Sequence, residues 1–351
     1  MLRGKETRLS AMPSLPAGRR DARQAVLQPP AHVLTVDVED YFQVEAFAGY
    51  VHRESWDQWP YRVVENTERV LDLFERYQAK GTFFFLGWVA ARFPKLVRQV
   101  HARGHELACH SYWHRAIYSL TQEGFRKDTR LAKHVIEDAA GTKVIGYRAP
   151  SWSITKECVW ALDILAEEGF VYDSSIYPVH HDLYGLPEAR RFPYIHECDN
   201  GLKLREYPPA TLRFLGANFP VAGSGHLRIF PAVYTEMAFG VFEKRYGERV
   251  IVQLHPWELD PEQPRIPAKW RSRFRHYTNL GSMKAKVSAL LRCHKFERFC
   301  DVLAAEVIEP GGHAPELSDQ GSISSSSLSA KPNGMASLPR PAAVLQRGGN
   351  R

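Results

Sequence analysis

The 351-residue chain reads as an α/β protein built on a parallel sheet, and two observations predict that class. Short apolar runs alternate with stretches of helical periodicity from residue 32 to residue 306, the order that repeated strand–helix units require. Polar residues recur where the apolar runs end, at Asp37, His110, Arg148, Asp173 and His255. A parallel sheet, open or closed into a barrel, gathers such positions on one face.

Residues 32–39 (HVLTVDVE) form the first buried strand. A Trp-rich loop leads to a helix over 63–80 with Val63, Val70, Leu71, Leu73, Phe74 and Tyr77 on its apolar face; Gly81 closes it. Residues 82–86 form a second buried strand, a helix opening on Pro94 runs to 103, and a third strand covers 106–109. Thr121 is the N-cap candidate of a helix reaching 140. Strand 144–147 ends in Arg148-Ala149-Pro150, helix 155–168 is followed by Gly169, and strand 171–173 comes next. Residues 178–235 are rich in Pro, Gly and Tyr and read as an irregular insertion carrying strands such as 204–207. Helix 234–246, strand 250–254 and a helix over 284–306 complete the body. No internal repeat is present.

Composition bounds the function. Apolar residues make up 44% and aromatics 12%, enough for a sizeable core. Residues 1–30, rich in Arg, Ala and Pro, are expected to be a disordered leader. Residues 310–351, with a Ser-rich run, are expected to be a disordered tail. Of the formal +7 charge, the leader carries +4 and the tail +2, leaving +1 for residues 31–309. A nearly neutral body argues against nucleic acid as a partner. The five cysteines are odd in number and form no CxxC pair, which points to a reducing compartment. No apolar run reaches the ~18 residues of a membrane span, and no apolar segment follows the basic start as in a secretory signal. A cytoplasmic enzyme is the expectation.

The chemistry centres on His110-Ser111-Tyr112-Trp113-His114. Two imidazoles four residues apart fall on one side of a helical turn and reach one metal ion. Zinc takes neutral imidazole, and a catalytic zinc keeps one position open beside three protein ligands. The spacing means little by itself: His101 and His105 share it across a turn at Gly104, and the zincin HExxH pattern is absent. Asp37 and Glu39 alternate along one strand, so they share a face. Two acids in an apolar strand are costly in a core. Either the strand end reaches solvent, or one carboxylate serves a metal while the other takes a proton from metal-bound water.

Together these segments resemble the polysaccharide deacetylase family of the NodB-homology, carbohydrate esterase 4 type, over about residues 32–305. The family's Thr-Phe-Asp-Asp motif corresponds to residues 35–40, TVDVED. Its His-Ser/Thr-x-x-His motif corresponds to His110 and His114, its Arg-x-Pro to Arg148-Ala149-Pro150, its Asp-Ser to Asp173-Ser174, and its final apolar-His motif to Leu254-His255. The runs VDVEDYF, RAPSWS and LHPWE are similar to deacetylases that accompany bacterial exopolysaccharide and exosortase (PEP-CTERM) loci.

The resemblance implies a distorted (β/α)7-type barrel over 31–309 and a metal-dependent N-deacetylase acting on an N-acetylated polysaccharide or oligosaccharide. By the same resemblance Asp37 is the general base, oriented by Arg148, and His255 the general acid, held by Asp173. Glu39, His110 and His114 hold a divalent metal, zinc first among candidates, with Asp40 as fallback carboxylate. The backbone N–H of Tyr112 or a neighbour is expected at the oxyanion, and Trp152 and Trp257 at the acetyl pocket or a sugar ring. Arg228 and His276, in segments similar to the exopolysaccharide-linked group, are either substrate contacts or structural. Two alternatives stay open: a hydrolase of small cyclic amides or ureides on the same fold, and a silent carbohydrate-binding scaffold.

Overall fold

The computed structural model of the protein describes residues 30–181 and 184–308. Residues 1–29 of the expected leader and the whole expected tail, 310–351, lie outside the described residues. Eleven strands are present among the described residues: β1 (His32–Val38), β2 (Thr82–Phe85), β3 (Glu106–Cys109), β4 (Gly146–Tyr147), β5 (Tyr172–Asp173), β6 (Tyr194–Glu197), β7 (Lys203–Glu206), β8 (Thr211–Phe214), β9 (Ala217–Pro220), β10 (Ile251–Leu254) and β11 (Phe296–Glu297). The α-helices are α1 (Val63–Arg76), α2 (Gly87–Arg92), α3 (Pro94–Ala102), α4 (Gln122–Ala140), α5 (Trp160–Glu167), α6 (Ser224–Ile229), α7 (Ala232–Val241), α8 (Trp270–Tyr277), α9 (Leu280–Cys293) and α10 (Phe299–Ile308).

The main sheet runs β10-β1-β2-β3-β4-β5-β7-β6, and β11 pairs with the start of β1. Every pairing along it is parallel except β6 against β7. The expected distorted barrel is thus a curled half-barrel. Its edge strands β10 and β6 are not paired with each other among the described residues. β1 is buried along all seven residues, as a central parallel strand covered on both faces must be. The core contains Val36, Val38, Phe83, Phe85 and Leu107 from the strands and Val70, Leu71 and Phe74 from α1. β8 and β9 form a separate hairpin, while β6 and β7 extend the main sheet within the stretch read as irregular.

Local chemistry explains most element ends. Thr121 Oγ1 accepts the Gly124 N–H and caps α4, and Gly169 (φ 76) follows α5 as expected. α1 ends earlier than its periodicity predicts, at Arg76, with Gln78 in the left-handed region (φ 54). Gly81, instead of closing the helix, makes room for the sheet. A Cβ there would lie 2.8 Å from the Leu34 carbonyl oxygen, so the chain enters β2 only without a side chain. The helix expected over 284–306 is two, α9 and α10, because Phe296 and Glu297 leave helix to pair with β1. The helix expected from residue 155 opens as a 3₁₀ turn over Lys156–Cys158. The helix expected over 234–246 begins at Ala232, and its last turn, Phe242–Tyr246, widens to π geometry before Gly247 (φ 65). α2 has only six residues, too short to show a period.

Candidate active site

Side chains from β1, β3, β4 and β10 converge at the C-terminal edge of the sheet. Asp37 and Glu39 point to one face, as strand alternation requires. Both are 1% exposed, which removes the solvent-facing strand end as an explanation. Glu39 Oε2 lies 2.7 Å from His114 Nε2, yet it has no hydrogen-bond partner. Donor atoms of Glu39, His110 and His114 all lie within 4.8 Å of one another. His110 Nδ1 is 2.8 Å from the Arg148 carbonyl oxygen. That oxygen only accepts, so Nδ1 carries the proton and Nε2 keeps its lone pair toward the site. Two imidazole nitrogens and an orphaned carboxylate oxygen therefore fit a divalent cation of zinc's ligand preference.

The histidine-bearing segment is not the helical turn expected. Residues 110–116 form a loop in which Ser111 (φ 60) and His114 (φ 50) are left-handed. That geometry is strained for non-glycine residues, and three groups hold it. Ser111 Oγ accepts the His114 N–H, Arg53 donates to the carbonyls of Trp113 and His114, and Asp128 accepts the Tyr112 N–H at 2.7 Å. The last bond corrects the oxyanion assignment: the Tyr112 N–H is already committed to Asp128.

Asp37 sits between a cation and a donor. Its Oδ1 is 2.9 Å from Arg148 Nη1, and its Oδ2 accepts from Gln253 Nε2 at 2.5 Å. Burial works to raise its pKa, but Arg148, then His110, His255 and Gln253, outweigh it and hold the carboxyl at about 2. Arg148 is itself buried, with Thr35 and Ser174 taking further donors. Removing one member of such a buried pair costs about 3–5 kcal/mol.

His255 follows β10. Its Nε2 lies 3.4 Å from Glu39 and 4.0 Å from Asp37, and its Nδ1 lies 3.6 Å from Glu258. Burial lowers its pKa, yet Glu258, Glu39 and Asp37 together raise it. The expected partner, Asp173, faces elsewhere. It accepts from Ser175 at 2.6 Å and meets Glu206, its register partner on β7. Burial lifts Asp173 to about 6 and Glu206 well above its usual range. The oxygens Asp173 Oδ2 and Glu206 Oε2 have no other hydrogen-bond partner, and burial shifts both carboxyls toward the protonated form. Glu258 takes the place expected of Asp173, and it is anchored in turn by Arg228 at 2.5 Å.

Asp40, the fallback ligand, is excluded by its contacts. Its oxygens accept the N–H groups of Tyr41, Arg62 and Val63, the last two at the start of α1. Burial still raises it to about 7. Trp152 and Trp257 line the same cavity of about 170 Å³ as Asp37, Glu39, His110, His114 and His255. Trp257 stacks between His255 and His276, at ring separations of 5.0 and 4.0 Å. Arg228 is 3% exposed and donates to the carbonyls of Arg275, His276 and Thr278, which makes it structural as well as cavity-lining. Sequence reasoning missed Gln253 and Glu258. Gln253 lies two residues before His255, on the same face of β10, and Glu258 lies three after it, a spacing that signals a capping box.

The curled parallel half-barrel thus carries its candidate chemistry at the C-terminal ends of its strands. A crystal structure assigned to the polysaccharide deacetylases, from Mycobacterium smegmatis, superposes with a TM-score of 0.52 at 19% identity, covering 84% of this chain and 93% of that one. Residues 55–169 match the polysaccharide deacetylase family model, and residues 174–304 match a domain of unknown function, DUF3473. Over residues 55–169 the chain is thus similar to polysaccharide deacetylases. A peptidoglycan deacetylase of Helicobacter pylori is 30% identical over 117 residues, covering 32% of this chain and 37% of that protein. A bifunctional xylanase/deacetylase of Pseudobutyrivibrio xylanivorans is 30% identical over 108 residues, covering 30% and 18%. The chain thus spans well under half the length of these curated relatives.

Proposed function

We propose that the protein is a metal-dependent N-deacetylase that hydrolyses acetamido groups of a bacterial exopolysaccharide or its precursor, releasing acetate. The observation that carries this reading is the cluster of Glu39, His110 and His114 donors with Asp37 and His255 beside it. Glu39, His110 and His114 would hold the cation, with zinc the best match to their donors. When bound, such a cation supplies Lewis-acid polarisation of the acetamide carbonyl and acidification of water. Asp37, ionised by Arg148, accepts the proton of the attacking water at Oδ2. His255, kept protonated by Glu258, delivers a proton to the departing nitrogen, which is a poor leaving group as an anion. Trp152 and Trp257 wall the acetyl group. Arg148 and Glu258 position, and make no contact with substrate in this scheme.

The exopolysaccharide assignment draws support from the DUF3473 match and from the three sequence runs that resemble that subfamily. A cytoplasmic site of action fits the five unpaired cysteines and the lack, among described residues, of a helix long and apolar enough to cross a membrane. The silent-scaffold alternative needs a missing ligand or base, and in this reading Glu39 and Asp37 would supply both. Acetate release from a panel of N-acetylated oligosaccharides, with chelator and after zinc is returned, tests the reading. Release that chelator abolishes and zinc restores is expected. Hydrolysis of a cyclic ureide but of no N-acetylated sugar would replace it with the small-amide alternative.

A further inference from the structure

One segment of the folded body carries a long run of unbalanced positive charge. Residues 263–296 contain nine Lys/Arg and no Asp or Glu. Residues 31–309 as a whole carry only +1, so the remainder of the body is net −8. Arg265, Lys269, Arg271, Arg273 and Arg275 are all exposed, and none forms an ion pair among the described residues. Such a concentration of unpaired charge beside an acidic body costs self-repulsion and is suited to an anionic ligand. On the same helix, α8, Trp270 and Phe274 are 71% and 54% exposed. They stand four residues apart and therefore share a face.

These side chains border a groove of about 430 Å³ whose walls include Arg265, Trp270, Arg273, Phe274 and Tyr277. The Arg265 guanidinium sits 4.2 Å from the Tyr277 ring centroid, which steadies it at the groove. The groove adjoins the catalytic cavity through α8 itself. Phe274 and Tyr277 line the groove, while Arg275 and His276 between them line the cavity. We propose that this groove binds the acidic groups of a saccharide chain whose N-acetylated unit occupies the catalytic cavity. Guanidinium forks match carboxylate or phosphate oxygens, and flat aromatic faces match the apolar faces of sugar rings. The groove is open to solvent, and its two arginines beside exposed aromatic rings suit a saccharide chain lying across it. The proposal rests on the deacetylase reading and names its substrate class as acidic.

The test uses the full-length, zinc-loaded protein and two probes of equal length. One alternates glucuronate with N-acetylglucosamine, and the other is the neutral N-acetylglucosamine oligomer. Calorimetric titration should give the acidic chain at least about tenfold tighter binding at low salt, a preference that shrinks at about 0.3 M salt. The double variant R265Q/R273Q should bind both probes alike while releasing acetate from the neutral oligomer at the parental rate. Equal affinities in the parent, a salt-independent preference, or an unaffected double variant would each overturn the groove. So would sedimentation with phosphatidylserine vesicles through these arginines without any binding of the acidic chain. Acetate release from both probes at equal affinity refutes the groove and leaves the deacetylase reading standing. Arginine-dependent binding of the acidic chain with no acetate release from either probe does the reverse.

Discussion

Two carboxylate pairs lie along one edge of the same sheet, both buried, and their pKa values are shifted in opposite directions. Asp37 and Glu39 are surrounded by Arg148 and three imidazoles, and both are shifted toward ionisation. Asp173 and Glu206 face each other across β5 and β7, with serine and main-chain donors as their direct partners, and both are shifted toward protonation. Burial pushes all four the same way; the difference lies in which neighbours oppose it. The first pair suits carrying charge, and the second suits a buried protonated contact between two strands. A carboxylate at a strand end is therefore assigned a role by its neighbours, and not by its position.

The comparison is broken most directly at Asp37. D37N should lower acetate release by about 10³-fold while keeping stoichiometric metal, checked by kinetics and metal analysis of the same preparation. Near-parental turnover would remove the base from the first pair. E39A should weaken metal binding by more than about a hundredfold, beyond the range of outer-shell partners. D40A should keep the metal and lose only about 1 kcal/mol from the α1 cap. If competition with a chelating dye shows the reverse order, the ligand assignment is wrong.

Smaller effects sharpen the division. E258Q should cut kcat about tenfold with little change in KM, whereas D173N should stay within about twofold of the parent. The opposite outcome would return the histidine-holding role to Asp173. The smallest effect concerns stability against pH. Both members of the Asp173–Glu206 pair have native pKa values above the ordinary carboxyl range, so the native state keeps protons that the unfolded chain releases. Their stabilisation is full below about pH 4; the Asp173 share is lost as pH rises through about 6, and the Glu206 share at higher pH. E206Q supplies a permanent donor, and the fall in Tm between about pH 5 and 8 should shrink by roughly 2–4 °C.

Much of the fold is legible in the sequence because its cause is local. The first three strands are solid apolar runs, and Thr121 and Gly169 act through neighbouring backbone. Glu39 is legible as a partner of Asp37 from strand alternation alone. What fails to show depends on distant segments. Gly81 is required by Leu34 on another strand, the break at Phe296 by pairing with β1, and the committed Tyr112 N–H by Asp128, sixteen residues on. Sequence reasoning misplaces Asp173 for the same reason, since nothing near it in the chain reveals Glu206 opposite. Asp40 and Glu39 are adjacent acids, and only the position of the α1 N-terminus tells the cap from the ligand.

Arg148 serves His110 through its main-chain oxygen and Asp37 through its guanidinium. The first service is indifferent to the side chain, since every amino acid brings a carbonyl. Replacement at this position would therefore uncouple the two halves of the centre, leaving the imidazole tautomer set while the neighbouring acid loses its counter-charge. Under the proposed function, affinity for the cation would in this way be insulated from drift at residue 148, and reactivity would not.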